Sequence, residues 1–226
     1  YFGYAASVIL LICGGWIGSN LYQDRHIVFN QLYVHPGQRA CLTLSDGSEV
    51  WINANSTFIY PTEFGKTERR VTLVGEGFFD VVKDSSKPFI VSTQSIDIRV
   101  LGTKFDVYCY PGSEYITTSL LEGVVKVYEP HKESEGVELT PNKKLYYAKG
   151  SMRIEDIEDL EDFLWRNGVY GFEKELFGDI LKKLELYYDV TIHVKDSSIL
   201  DFDYTAKFRQ RDGIDEILRQ IQKTQQ

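Results

Sequence analysis

Few side chains in this sequence could do chemistry, and most of them stand alone. The four histidines, at 26, 35, 131 and 193, form no H-x-H or H-x-x-x-H pair and no Cys/His pair at ligand spacing, so no metal site is expected. There is no G-x-S-x-G, no phosphate-binding glycine loop and no nucleotide fingerprint. No cofactor is therefore expected. Gly75-Glu76-Gly77 is too short to cradle a phosphate and precedes no helix. It reads as a bulge or crossing point where a side chain would obstruct the chain. Asp80, Asp97 and Asp106 lie in strand-like runs, and a hydrolase needs only two facing carboxylates, but acidic strand residues are usually solvated.

Two stretches remain. In IRVLGTKFDVY, the Thr103 hydroxyl could attack the Gly102 carbonyl, turning a strained peptide into an ester that water then cleaves. The alternative is structural: Gly102 marks a bulge between two core strands and Thr103 is an ordinary strand residue. The second stretch, LTLSDGSEVWINANST at 42–57, crowds polar residues beside an Asp-Gly pair. Asp46-Gly47 suits a tight hairpin joining LTL to EVWIN, with Leu42, Leu44, Val50 and Ile52 on one apolar layer. Asn53, Asn55 and Ser56 then turn the chain again, so nothing in that stretch requires a substrate. Apart from self-cleavage at Gly102-Thr103, the sequence points away from an enzyme.

The elements that would position these residues are mostly strands. Residues 32–149 form short alternating runs punctuated by Pro36-Gly37, Asp46-Gly47, Pro111-Gly112 and Glu135-Gly136, without sustained helical spacing. This predicts an all-β domain over 22–150, a sandwich or short solenoid. Residues 151–166 are acidic, and Ile154, Ile157, Leu160 and Leu164 are spaced as in a helix, so a connecting helix is expected. From 167 to 226 the pattern is β-α-β-β-α: a strand at 169–172, a helix around Ile180 and Leu184, strands at VTIHVK and DFDYTAKF, and a helix around Ile217 with Asp212 as N-cap. A closing strand is expected where the chain stops at Gln226.

A net charge of −8 and a pI near 5.1 argue against nucleic acid, which needs a clustered basic face. Lys66–Arg70 reads as a solvated hairpin. Residues 2–18 carry no charge, and with Val8, Ile9, Leu10, Leu11 and Ile12 at their centre they read as the end of a membrane span within residues 1–21. A signal peptide or a buried helix fits less well: the start is not basic, no small-x-small cleavage site follows, and Gly14-Gly15 interrupts a core helix. Gly14 and Gly18 are spaced to pack two spans together. Alternation puts Cys41 on a polar face and Cys109 with Phe105 and Val107, so a bridge between them is not expected.

GQRACLTLSDGSEVWINANSTFIYP, RRVTLVGEGFFDVVKDSSKPFIVST, IRVLGTKFDVYCY and SLLEGVVKVYE, in that order, resemble FecR-family anti-sigma factors, most closely those of Bacteroidetes. FLWRNGVYGFEKELFGDILKKLELYYDVTIHV and DYTAKF resemble their C-terminal domain, which is similar to the short N-terminal domain of secretins and TonB-dependent transporters. Ser45 departs from the pattern, standing where many relatives have Pro. The resemblance implies a single-pass inner-membrane protein with the bulk of this chain in the periplasm. It implies two partners: an extracytoplasmic-function sigma factor, held by a cytoplasmic segment upstream of Tyr1, and the signalling domain of an outer-membrane TonB-dependent transporter. Contact with the latter is expected through exposed parts of 190–195 and 203–208, at Val190, Ile192, Val194, Tyr204, Ala206 and Phe208. Some members cleave themselves at a Gly-Thr that looks like Gly102-Thr103. The alternative from another class is a periplasmic carbohydrate-binding or carbohydrate-processing sandwich using aromatics such as Trp51 or Tyr60.

Overall fold

The computed structural model describes residues 27–157 and 160–224. Its strands are, in chain order, β1 (Phe29–Val34), β2 (Ala40–Thr43), β3 (Glu49–Ile52), β4 (Ser56–Pro61), β5 (Arg69–Asp80), β6 (Phe89–Ser92), β7 (Asp97–Val100), β8 (Lys104–Cys109), β9 (Ile116–Glu122), β10 (Val125–Tyr128), β11 (Val137–Leu139), β12 (Lys143–Ala148), β13 (Ser151–Asp156), β14 (Val169–Leu176) and β15 (Asp203–Arg209). Two helices follow β14 and β15: α1 (Phe177–Tyr188) and α2 (Gly213–Thr224).

Thirteen strands belong to one sheet, and the long β5 curls it over on itself. The first half of β5 pairs with β4 and β6, and the second half with β3 and β8. The change of partners falls at Gly75, whose φ is +111°. A Cβ there would sit 2.1 Å from Ser56 Oγ, so only glycine lets the strands cross, as expected for this motif. The expected sandwich or solenoid is thus a single sheet closing around one apolar core. Val50, Ile52, Phe58, Leu73, Phe79, Phe105, Val107 and Leu120 are all fully buried in that core.

The Asp46-Gly47 hairpin forms as expected, with Gly47 at φ +85° and the Leu44 amide donating to the Ser48 carbonyl. Asp46 accepts from the Ser48 amide and hydroxyl and pairs with Arg69 at 2.7 Å. That pairing corrects the solvated reading of Lys66–Arg70 at one position. Arg69 is 2% exposed, and it donates to the Lys87 and Val82 carbonyls.

Two other expectations are revised. Residues 151–156 extend the sheet edge by pairing with β12, and a 3-10 turn, Glu161–Asn167, follows in place of a connecting helix. The helix-like spacing does not correspond to a buried stripe: Ile154 and Leu160 are exposed. VTIHVK alternates in burial over 191–195, but it forms no strand and pairs with none among the described residues. The C-terminal unit is therefore the antiparallel pair β14–β15 with α1 and α2. Cys41 and Cys109 are both free, one exposed and one buried. The expected span at residues 2–18 lies outside the described residues. Among the described residues, no helix is long and apolar enough to cross a membrane.

Candidate functional site

Side chains alternate across a strand, so the curled sheet has a second face behind its apolar core. Register builds two cross-strand rows on that face. One runs Trp51, Phe78, Asp106, Ser119, Lys144, and the other runs Glu76, Tyr108, Thr117, Tyr146. The C-terminal unit lies over the centre of these rows and buries Glu76, Asp106, Thr117 and Ser119 to 5% exposure or less. Trp165 Nε1 donates to Asp106 Oδ1 at 3.0 Å, and Tyr170 donates to Asn53 Oδ1 at 3.4 Å. Asn53 is itself fully buried and donates to Glu76 Oε2. The Arg166 guanidinium stacks over Phe78 and Trp51.

At one side of this interface, the loop between β1 and β2 grips the C-terminal unit. Arg39 Nη1 donates to Gln210 Oε1 at 3.0 Å, Gln210 Nε2 donates to the Gln38 carbonyl at 2.9 Å, and the Gly37 amide donates to the Tyr187 carbonyl at 3.0 Å. Asn55 Nδ2 adds a bond to the Leu186 carbonyl at 3.0 Å. Burial pushes the Tyr108, Tyr110, Tyr170 and Tyr187 phenols well above their ordinary range, and the Glu76 charge pushes the same way. These rings stay neutral near pH 7. They serve as packing surfaces and hydrogen-bonding groups.

The Gly102-Thr103 dipeptide forms the turn between β7 and β8. Gly102 has φ +155°, and a Cβ there would lie 2.6 Å from the Lys83 Cα. Gly123 packs against the dipeptide: a Cβ on it would come within 2.9 Å of both the Gly102 carbonyl oxygen and Thr103 Oγ1. Thr103 is 3% exposed and its hydroxyl donates to the Val124 carbonyl at 3.1 Å. A peptide carbonyl anchors a hydroxyl but is a negligible base, so this contact positions Thr103 without activating it.

On the C-terminal unit, 190–195 and the start of β15 border an open groove of about 910 Å3, whose apolar lining includes Leu181, Ile192, Val194, Phe202 and Leu218. The Ile192 amide is held by Glu185 Oε1 at 2.6 Å and the Val190 amide by the Glu185 carbonyl at 3.2 Å. Phe202 is 65% exposed at the rim.

Residues 30–126 match the family model "FecR protein", and residues 169–226 match the model "FecR, C-terminal". The chain belongs to the FecR family. Two crystal structures of a candidate anti-sigma factor from Parabacteroides distasonis, at 1.65 and 2.50 Å resolution, are similar to this FecR chain, each at 28% identity with a TM-score of 0.75. The alignments cover 86% and 87% of this chain and 91% and 92% of those chains. No curated protein matches.

In this FecR chain, the residues singled out in the sequence are placed unevenly. Gly102 and Thr103 are adjacent to Gly123 and Val124. Val190 is exposed, Ile192, Val194, Tyr204 and Ala206 are half-buried against the helices, and Phe208 is 4% exposed in the core. The outward positions of these two segments are Thr191, His193, Lys195, Asp203, Thr205 and Lys207. Val8, Ile9, Leu10, Leu11 and Ile12 lie outside the described residues. Trp51 is covered by Arg166, and Tyr60 stacks on Phe58, so neither forms an open sugar platform. Among the described residues no cluster of His, Cys, Asp or Glu could hold a metal. Sequence reasoning missed the Asn53–Glu76 pair and Gln210. Their only trace is polar residues alternating with core positions, and their role depends on register across several strands.

Proposed function

We propose that this sigma regulator is the periplasmic receiver of a transmembrane relay. In this reading it is anchored in the inner membrane, with the bulk of the chain in the periplasm. Its C-terminal unit contacts the signalling domain of an outer-membrane TonB-dependent transporter, and the signal passes to an extracytoplasmic-function sigma factor held on the cytoplasmic side. The protein acts by binding, not by catalysis. The observation that supports this most is segment 190–195, which joins no sheet among the described residues and lies beside an apolar groove, on the unit that matches the family's C-terminal model. With the Val190 and Ile192 amides held by Glu185, the side carrying Thr191, His193 and Lys195 is the one that would meet an added strand, and the groove would receive its alternate side chains.

Calorimetric titration of the chain with the isolated signalling domain of the transporter encoded beside it tests this reading. Wild type is expected to bind, and Phe202→Asp to weaken binding by about tenfold or more, because the substitution places a charge in the apolar rim. Glu138→Ala, on the exposed edge of β11, is expected to bind as wild type. Equal affinity for wild type and Phe202→Asp, or no binding at all, would count against the proposed contact.

A further inference from the structure

The two faces of the folded sheet are built for different surroundings. The inner face is apolar throughout its centre: Val50, Ile52, Phe79, Phe105, Val107, Leu120 and Leu145 are all fully buried. The outer face, on the same strands, carries Glu76, Asp106, Thr117, Ser119 and Lys144 among its aromatic rings. Both carboxylates are hydrogen-bonded in the contact, Glu76 by Asn53 and Asp106 by Trp165, and charged groups of this kind are also readily solvated where a face meets water. Phe78 on this face is fully buried, whereas Trp51, Tyr108, Tyr110 and Tyr115 each join an apolar body to a polar edge.

The contact is a shared aromatic-rich cluster, in which Ala54, Phe78, Tyr108 and Tyr110 on the sheet side pack against Phe163, Trp165, Tyr170 and Tyr187 of the C-terminal unit, and it joins the two without sheet pairing. No strand of the C-terminal unit pairs with the large sheet among the described residues, because β14 and β15 form their own two-stranded sheet. The hydrogen bonds that cross are discrete and mostly involve side chains: Trp165 to Asp106, Tyr170 to Asn53, Asn55 to the Leu186 carbonyl, and the Gln38, Arg39 and Gln210 group. A cavity of about 30 Å3, lined by Glu76, Asp106, Tyr115, Lys144 and Lys183 among others, lies within the contact. That is room on the scale of one water molecule, so solvent has a polar foothold inside the interface. The chain passes from the sheet to the C-terminal unit once, after β13.

We infer that residues 161–224 form a detachable cap, and that the cap lifts from the Glu76–Asp106 face as a unit while the sheet stays folded. The protein then has two arrangements, docked and lifted, and a ligand that favours one shifts the balance between them. Lifting depends on the interface alone, whatever partner the protein binds.

Thiol labelling of the full chain, resolved by peptide mass spectrometry, tests it. Ser119→Cys places a thiol at the centre of the outer face, while the native Cys109 lies in the inner core and reports opening of the sheet itself. The exposed Cys41 reports that the reagent is active. The thiol introduced at position 119 is expected to react under native conditions at least tenfold faster than Cys109. Adding Arg39→Ala, an exposed loop residue whose guanidinium holds Gln210, is expected to raise the rate at 119 several-fold and leave Cys109 unchanged. Gln210→Ala, which also releases the Gln38 carbonyl, is expected to raise it further. If positions 119 and 109 react at one common rate, or if the rate at 119 is indifferent to Arg39→Ala, the cap does not lift and the inference fails.

Discussion

At the scale of single residues, the dipeptide that looked most reactive has a full set of structural partners. Thr103 anchors the β7–β8 turn to the Val124 carbonyl; Gly102 lies too close to Lys83, and Gly123 too close to the dipeptide, for either to carry a side chain. These contacts are packing. The purified chain is expected to run as one full-length band, and Thr103→Ala to lower stability by about 0.5–1.5 kcal/mol by removing the hydrogen bond to the Val124 carbonyl. Gel electrophoresis and thermal unfolding read both outcomes. Two fragments split after Gly102 in wild type, and none in Thr103→Ala, would assign Thr103 the nucleophilic role instead. The same scale shows what one polar residue can hide. Asn53 reads in sequence as part of a turn, yet it is fully buried and joins Glu76 to Tyr170.

At the scale of elements, local pattern was enough wherever a segment carried its own signal. The Asp46-Gly47 hairpin, the Gly75 crossing and both helices of the C-terminal unit were legible, because turn chemistry and apolar spacing are properties of a few adjacent residues. VTIHVK alternates as a strand should, but strand identity needs a neighbour, and none of the described residues supplies one. Residues 151–156 misled for the opposite reason: a helix-like spacing of apolar residues was overridden by a free edge on β12. The cluster of buried tyrosines gives this level its own prediction. A phenol with a raised folded-state pKa binds its proton more tightly when folded than when unfolded. Its stabilising contribution is complete below the ordinary tyrosine pKa of about 10 and is lost as pH rises beyond it. Each such ring then removes about 1.4 kcal/mol per pH unit. With Tyr108, Tyr110, Tyr170 and Tyr187 all shifted upward, the unfolding midpoint is expected to stay flat to about pH 9.5 and fall steeply above it. A midpoint unchanged up to pH 11 would mean that these rings are not protected from solvent.

At the scale of the whole molecule, the fold places a curled sheet beneath a C-terminal unit that covers its outer face through a shared aromatic cluster and carries a segment, 190–195, that joins no sheet among the described residues. The family was legible from the order of several motifs. The interface between the two units was not, because Asp106, Ser119 and Lys144 come together only through the register of β8, β9 and β12. A relay needs a receiving surface and a way to pass the event on, and in this account the C-terminal unit supplies the first. The most direct test is transcription from a sigma-dependent reporter in cells carrying the full-length protein. Phe202→Asp is expected to leave protein level and uninduced transcription unchanged and to abolish induction by the transporter's substrate. Induction equal to wild type, in cells whose variant no longer binds the signalling domain, would contradict the account.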